Sequence, residues 1–484
     1  MKKRCEKHGE FKDVYWGDAE LYQRFSNYCY DERVMVRNTE ENKGCPFDCG
    51  LCGRHRTTTI LGIIDITNKC NKNCPICFAN ANKSGYIYQP TMEQIEEMMK
   101  LFRSEILPCP AIEFSGGEPT IRKDFLEIIA TAMELGFEQV QVATNGKKFA
   151  QDIDFCIETR KAGLNSIYLQ FDGFCSDNLK RIRGYDDLSE KLQCIENCRT
   201  AGINITLVPT VVKGQNESEI GKIIKFALAN ADIVHSVVFQ PISFVGRIKG
   251  AEPAMRITVP EILADIEEQT KGQVCKKDFY PLNLEVPIAK FLEKVKRRAQ
   301  PKFTLHPHCG AGTQVFVNNG DIVPVSKFLD VEKMIRILTE VSSVSKEREI
   351  SAIEKIKLGF WLNKVINKKE MPKNLRSGLL KSLMKSFLVK GGASTLRRMH
   401  VTGVTIAVMH FQDAYNFDLE RVQRCGLHYA TPDHRIIPFC SYNTIHRTAV
   451  EKAFSRPIDK KTKYREDLSS SFFIPQRVRV SLSK

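Results

Sequence analysis

Residues 70–77 read Cys-Asn-Lys-Asn-Cys-Pro-Ile-Cys and follow the apolar run Ile60-Leu-Gly-Ile-Ile-Asp65. Cys70, Cys74 and Cys77 at these spacings can bind three irons of one 4Fe–4S cluster and leave the fourth iron without a protein ligand, because such clusters are otherwise held by four thiolates. The open iron is where a substrate or cofactor binds. A zinc knuckle and buried structural thiols are the plainer alternatives, and the lack of a nearby fourth ligand counts against closed tetrahedral zinc.

The stretch before this loop is β-rich, and the chain beyond the loop repeats that pattern. Short apolar runs at 60–66, 111–114, 139–143, 166–171, 204–208 and 236–240 alternate with helical periodicities at 92–102, 124–135, 153–162, 188–201 and 217–229. Six such units in succession predict an α/β fold with a parallel barrel, complete or partial, whose active site lies at the C-terminal ends of its strands. The first strand ends in the cysteine loop. The second ends in Ser115-Gly116-Gly117-Glu118-Pro119, where two glycines let a ligand approach the backbone and Glu118 supplies a carboxylate. Thr144-Asn145-Gly146, Gln170-Phe171-Asp172-Gly173, a stretch from Val208 through Val211 to Gly214, and Gln240-Pro241 end the others. Each alone is an ordinary βα turn. In register on one rim, they form a site.

A second three-cysteine group, Cys45-Pro-Phe-Asp-Cys49-Gly-Leu-Cys52, repeats the same spacing ahead of the first, and is expected to be a further metal site or a zinc ribbon. Cys5 stands apart from it. After residue 245 the chain becomes more basic and irregular, and the run 315–325 reads as a hairpin about Asn319-Gly320. Cys309, Cys425 and Cys440 each lie close to Gly or Pro and are candidates to converge as ligands of an auxiliary cluster; buried thiols are the alternative. Leu379, Leu380, Leu383, Met384, Phe387 and Leu388 form an apolar stripe among lysines, suited to an anionic membrane surface or to packing on the barrel. The expected division is a Cys-rich segment at 1–58, a partial (β/α)6 barrel at 59–245 and an α+β C-terminal auxiliary-cluster and substrate-binding region at 246–484.

The 484 residues suffice for two or three domains, and 17 cysteines, odd in number and partly bunched, suit a metalloprotein in a reducing compartment rather than a disulfide framework. No apolar stretch follows Met-Lys-Lys-Arg-Cys5, and no run of eighteen apolar residues occurs, so a cytoplasmic protein is expected, with contact at the inner membrane face left open. The formal charge of +15 suits nucleic acid, an anionic membrane or an anionic substrate without choosing among them. Aromatics for base stacking are sparse, and no nucleic acid partner is expected.

Cys70-x3-Cys74-x2-Cys77 followed by Gly116-Gly117-Glu118-Pro119 resembles the radical S-adenosylmethionine superfamily. The resemblance implies that the three thiols hold a 4Fe–4S cluster whose free iron takes the amino and carboxylate groups of S-adenosylmethionine. It implies that Ile76 seats the adenine, that the Gly-Gly-Glu-Pro stretch holds the methionine amino group, and that Asn145, Gln170, Asp172 and Val211 make the remaining contacts. An electron from a low-potential donor then cleaves the sulfonium C–S bond, and the 5′-deoxyadenosyl radical takes hydrogen from unactivated carbon.

Longer stretches, among them Cys5 to Asp18, Cys45 to Cys52, Cys74 to Lys83, Tyr168 to Gly173 and Tyr429 to Asp433, are similar to the archaeal tetraether lipid synthase family. This resemblance implies coupling of the terminal carbons of archaeal diether lipid chains, with auxiliary 4Fe–4S clusters at the outlying cysteines. That family carries a Cys-Pro-x-Cys pair ahead of the segment matching Cys5, which this sequence lacks, and some members have a cysteine in place of Gly426. The second expectation is a radical methyltransferase acting on a pterin or similar heterocycle. A long apolar cavity would favour the lipid and a small polar pocket the pterin. A third, non-enzymatic expectation is an iron–sulfur electron carrier or a zinc protein binding nucleic acid, which would not bind S-adenosylmethionine.

Overall fold

Apolar side chains at every second strand position build the core on one face of a sheet. The computed structural model describes residues 1–7, 9–30, 39–343, 360–361, 363–376 and 403–457; the stripe at Leu379 to Leu388 lies outside them. Strands β1 (Leu61–Thr67), β2 (Ala111–Gly116), β3 (Gln139–Thr144), β4 (Ser166–Gln170), β5 (Asn204–Val208) and β6 (Val234–Pro241) pair in that order, all parallel. Ile64, Ile112, Phe114, Val142, Ile167, Leu207 and Phe239 are fully buried on the outer face. Helices α1 (Met92–Arg103), α2 (Phe125–Glu134), α3 (Ile153–Ala162), α4 (Ser176–Arg183), α5 (Leu188–Ala201) and α6 (Ile220–Ala229) connect these strands. Thr91 and Gln94 form a capping box at the start of α1, and left-handed Gly163 and Gly202 stop α3 and α5. The sequence reading contains no α4, because its eight residues are strongly polar and bury only Leu179, Ile182 and Arg183.

The alternate positions face the lumen and are polar. Gln141 Nε2 donates to Glu113 Oε2 at 2.6 Å, Gln240 Nε2 to the Tyr168 hydroxyl at 2.9 Å, and the hydroxyls of Thr206 and Ser236 meet at 2.7 Å. Pairing of this kind lets polar groups be buried without the desolvation penalty of unmatched ones.

The half-barrel does not end at β1 and β6. Strand β7 (Gly310–Asn318) and strand β8 (Asp321–Pro324) form the expected hairpin, with both Asn319 and Gly320 at positive φ. Strand β9 (Gly403–Met409) pairs parallel with β6 and antiparallel with β7. At the opposite edge β10 (Leu427–Ala430) pairs parallel with β1, and β11 (Ile436–Pro438) antiparallel with β10. One stretch of chain beyond the six units therefore supplies strands to both edges. The edges meet through aromatic rings: Phe411, just past β9, stacks on Phe439, just past β11, with centroids 4.1 Å apart, and Phe78 lies 5.5 Å from Phe439. Helix α7 (Arg447–Ala453) closes the same side, where Arg447 pairs with Asp65 at 2.5 Å and Glu451 at 3.0 Å.

Because Phe439 touches Phe78, Phe411 and Tyr429, Phe439→Ala removes the ring on which the seam packs. It should cost about 3 kcal/mol, read as a lower denaturant midpoint. An unchanged midpoint would show that the seam does not depend on this ring.

Candidate active site

The cysteine loop leaves β1 at its C-terminal end and is fastened on every side. Asn82 takes a hydrogen bond from Cys70 N at 2.9 Å through Oδ1 and donates to Cys70 O at 2.8 Å through Nδ2. Lys72, between the first two cysteines, is buried and pairs with Asp187 at 2.6 Å and Glu190 at 2.7 Å, which ties the loop to α5. Arg247 donates to Cys74 O and Ala81 O, each at 2.9 Å, and Arg247–Ile248 pairs antiparallel with Ile76–Cys77. Arg183 donates to Ile76 O at 3.1 Å and grips Asp172 through two bonds of 2.7 and 3.0 Å. Two arginines thus hold the loop from outside, and its own lysine anchors it to α5.

The glycines of Ser115-Gly-Gly-Glu-Pro119 serve this loop directly. A methyl group on Gly116 would overlap the carbonyl oxygen of Thr67, and one on Gly117 that of Lys69. Gly117 N donates to Thr67 O at 2.7 Å and Glu118 N to Lys69 O at 2.8 Å. The close approach that requires glycine is therefore made by the chain's own backbone. Glu118 is also occupied: its carboxylate accepts from Thr120 Oγ1 at 2.6 Å, Thr144 Oγ1 at 2.7 Å and Asn145 N at 2.8 Å, locking β2 to the end of β3. Pro119 opens the short turn that comes next.

The other rim residues lie close to the loop or to one another. Asn145 Nδ2 donates to Asn71 Oδ1 at 2.7 Å and lies 3.9 Å from Cys70 Sγ. Gln170 accepts from Lys191 Nζ at 2.9 Å and donates to Asp172, which also accepts from Thr210 N at 2.8 Å. Ile76 packs with Ile182, Val212 and Ile242 in a small apolar cluster. Val211 has its side chain in the large core, and Val212 is the valine beside Ile76. A one-residue step along an extended chain reverses the side-chain direction.

The sequence reading missed Lys72, Arg183, Lys191 and Arg247. Their only signal is a basic residue inside or beside a turn, which most surface turns share.

Burial pushes the Cys70 thiol up to about 12, with the Glu118 carboxylate adding to it, and burial also raises Cys74. Such thiols ionise when a metal centre takes them. Among the described residues no three His, Cys, Asp or Glu side chains stand close enough to share one ion. Cys70, Cys74 and Cys77 could each take one iron of a cluster. The surrounding cations and the Lys72 N–H, 3.4 Å from Cys70 Sγ, suit the negative charge of a thiolate-bound cluster.

Two further groups of thiols adjoin the seam. Cys45, Cys49 and Cys52 line a small cavity with His55, Gln423 and Pro438. Burial raises Cys49 to about 12, and Ser441 donates to its sulfur at 3.0 Å. Cys309, ahead of β7 on one edge, and Cys425 and Cys440, flanking β10 and β11 on the other, come within electrostatic reach of one another. Gln412 N donates to Cys440 Sγ at 3.3 Å, and burial pushes Cys440 up to about 11. Cys156, Cys194 and Cys198, by contrast, are buried in the helix-side core, where Cys156 donates to the carbonyls of Phe149 and Asp152.

A parallel half-barrel with a three-cysteine loop on its rim defines the radical S-adenosylmethionine class of enzyme, and the model of the Radical SAM superfamily matches residues 64–227. The chain belongs to that superfamily, whose members bind S-adenosylmethionine at a 4Fe–4S cluster. It is 46% identical over 468 residues, covering 95% of this chain and 91% of the relative, to 7,8-dihydro-6-hydroxymethylpterin dimethyltransferase of Methanocaldococcus jannaschii. It is 27% identical to GTP 3′,8-cyclase of Marinobacter nauticus over 42% of this chain and 60% of that one. The solved structure of methylornithine synthase aligns with a TM-score of 0.35 at 15% identity, over 44% of this chain and 64% of that one. The first relative overturns the expected coupling of diether lipid chains, and with it the lipid substrate and tetraether product. None of the described helices is long and apolar enough to cross a membrane.

Gly117→Ala should force the cysteine loop away from β2 while leaving the helix-side core intact. The expected result is near-normal far-ultraviolet circular dichroism with loss of iron and sulfide at this loop after anaerobic reconstitution; full loading would show that the close approach is dispensable.

Proposed function

We propose that this chain is a radical S-adenosylmethionine methyltransferase acting on a reduced pterin, and that the polar lumen of the half-barrel is where the pterin sits. Cys70, Cys74 and Cys77 hold the cluster, while Ile76, the Gly116 to Pro119 turn, Asn145, Gln170 and Asp172 shape the place of S-adenosylmethionine on the rim. When bound and reduced there, S-adenosylmethionine supplies a 5′-deoxyadenosyl radical that takes hydrogen from a nearby carbon. Cys45, Cys49 and Cys52, and likewise Cys309, Cys425 and Cys440, are assigned to auxiliary clusters that serve the methyl donor. The chain's own part is to orient the heterocycle and keep water away from it, which the aromatic seam and α7 favour.

The observation that carries this reading is the lumen beneath the rim. Asp65, Glu113, Gln141, Tyr168 and Gln240 alternate with the apolar helix-side residues, and a long hydrocarbon chain would leave these polar groups facing apolar surface. A pterin ring presents an amino group and a ring N–H side by side, a two-donor edge that a carboxylate matches. Glu113 is placed for this: its Oε2 takes one bond from Gln141 and keeps a lone pair, so that both oxygens can face the two donors. Burial, with the amide of Gln141 opposing it and the charge of Asp65 adding to it, pushes the carboxyl up to about 7.

Anaerobic incubation with 7,8-dihydro-6-hydroxymethylpterin, the compound named for the relative, a low-potential reductant and S-adenosylmethionine should yield methylated pterin by mass spectrometry. Deoxyadenosine without methylated pterin would sink the reading. Glu113→Gln should raise KM for the pterin by roughly tenfold or more, the value of a charged hydrogen bond, and leave substrate-free cleavage of S-adenosylmethionine unchanged. Since the ionised carboxylate is the form that accepts both donors, the wild-type KM should rise as pH falls through about 7, and the Gln variant should lose that dependence.

A further inference from the structure

Arg122, Arg183, Arg256, Arg421, Arg424 and Arg447 are the described arginines that are buried. Five of them have a carboxylate: Asp124 for Arg122, Asp172 for Arg183, Asp413 for Arg256, Glu420 for Arg424 and Asp65 for Arg447. Arg421 has none among the described residues. It is 1% exposed, its Nη2 donates to His410 O at 2.5 Å, and its Nε and Nη1 are buried without a hydrogen-bond partner. The ring of Tyr15 lies 5.8 Å from the guanidinium carbon, but the Tyr15 hydroxyl is already bound to Asp418 at 2.9 Å.

A guanidinium that cannot lose its proton and is shut away from water requires an anion, because an unmatched buried charge costs several kcal/mol. The groups beside Arg421 whose ionised forms would stabilise it are Cys309, Tyr15 and Cys440, with the Cys309 side chain also within hydrogen-bonding reach. In the helix-side core, by contrast, Cys156 donates to the carbonyls of Phe149 and Asp152.

We propose that Arg421 is the built-in counter-ion of an iron–sulfur centre held by Cys309, Cys425 and Cys440, directing its free Nε–H and Nη1–H at the centre's sulfurs and raising its reduction potential. The inference rests on the reading of these three cysteines as an auxiliary cluster site. Its physics is simple: adding an electron makes the centre more negative, a fixed positive charge stabilises the reduced state more than the oxidised one, and donors to sulfur act in the same direction. Arg421 is thus a positioning and tuning residue, set apart from the rim where S-adenosylmethionine is cleaved.

The test uses the full chain, reconstituted anaerobically and titrated electrochemically with detection by electron paramagnetic resonance. Arg421→Gln should keep its iron and sulfide and shift the midpoint of one cluster signal to lower potential, with the Cys70, Cys74 and Cys77 cluster unmoved; Arg421→Lys, which keeps the charge and loses the planar donors, should recover part of the shift. A Gln variant with full iron and every midpoint unchanged overturns the proposal. Cys309→Ala separates this from the underlying reading, since it should remove one cluster's iron, and retention of all iron would sink the cluster site itself. On the unaltered enzyme, nitrogen-15 label confined to arginine should give a resolved nuclear coupling to the reduced centre. Absence of that coupling overturns the proposal even if neither Arg421 variant folds.

Discussion

The loop from Asn68 to Asn82 can carry three thiols at the rim only because other parts of the chain hold its backbone in place. Arg183 and Arg247 reach it from outside, Lys72 of the loop itself pairs with Asp187, and the carbonyls of Thr67 and Lys69 accept from the Gly117 and Glu118 N–H groups. An irregular loop at a half-buried site must find partners for its polar backbone, and here cationic side chains are partners that also offset the charge of thiolates. Glu118, Asp172 and Asp187 orient the cations and strand ends rather than remaining free. The rim is therefore a connected set of charges.

The same arrangement explains the contrast between the two faces of the barrel strands. The helix side is apolar and includes buried cysteines that pack like any small apolar residue. The lumen side carries matched polar groups, and its lateral opening is filled by rings from both edges of the sheet. A reactive species made at the rim meets side chains that are hydrogen-bonded or aromatic before it meets solvent, which is what radical chemistry requires.

Much of this was legible along the chain because it is written in local periods. Alternation located all six barrel strands, and Asn319-Gly320 located the hairpin. The cysteine spacing and Gly116-Gly117 marked the rim, and the glycines admit the backbone of Thr67 and Lys69. What stayed hidden depends on strand order. Nothing near residues 403 to 409 or 427 to 430 states that one segment will extend the sheet beside β6 and the other beside β1. Hence Cys309, Cys425 and Cys440 could be named as candidates but not located on facing edges. Arg183, Arg247 and Arg421 were hidden for a related reason: a buried arginine looks like a surface one until its surroundings are known. The lipid expectation followed from whole-chain resemblance, which speaks to shared architecture and leaves the substrate to the lumen side chains.

Ser455–Pro457, directly after α7, pairs antiparallel with Tyr86–Tyr88, directly after the cysteine loop. Residues separated by most of the chain are thus hydrogen-bonded at the reactive centre. The barrel strands pair with near neighbours in sequence, whereas this pairing closes a loop of most of the chain and carries a larger entropic cost.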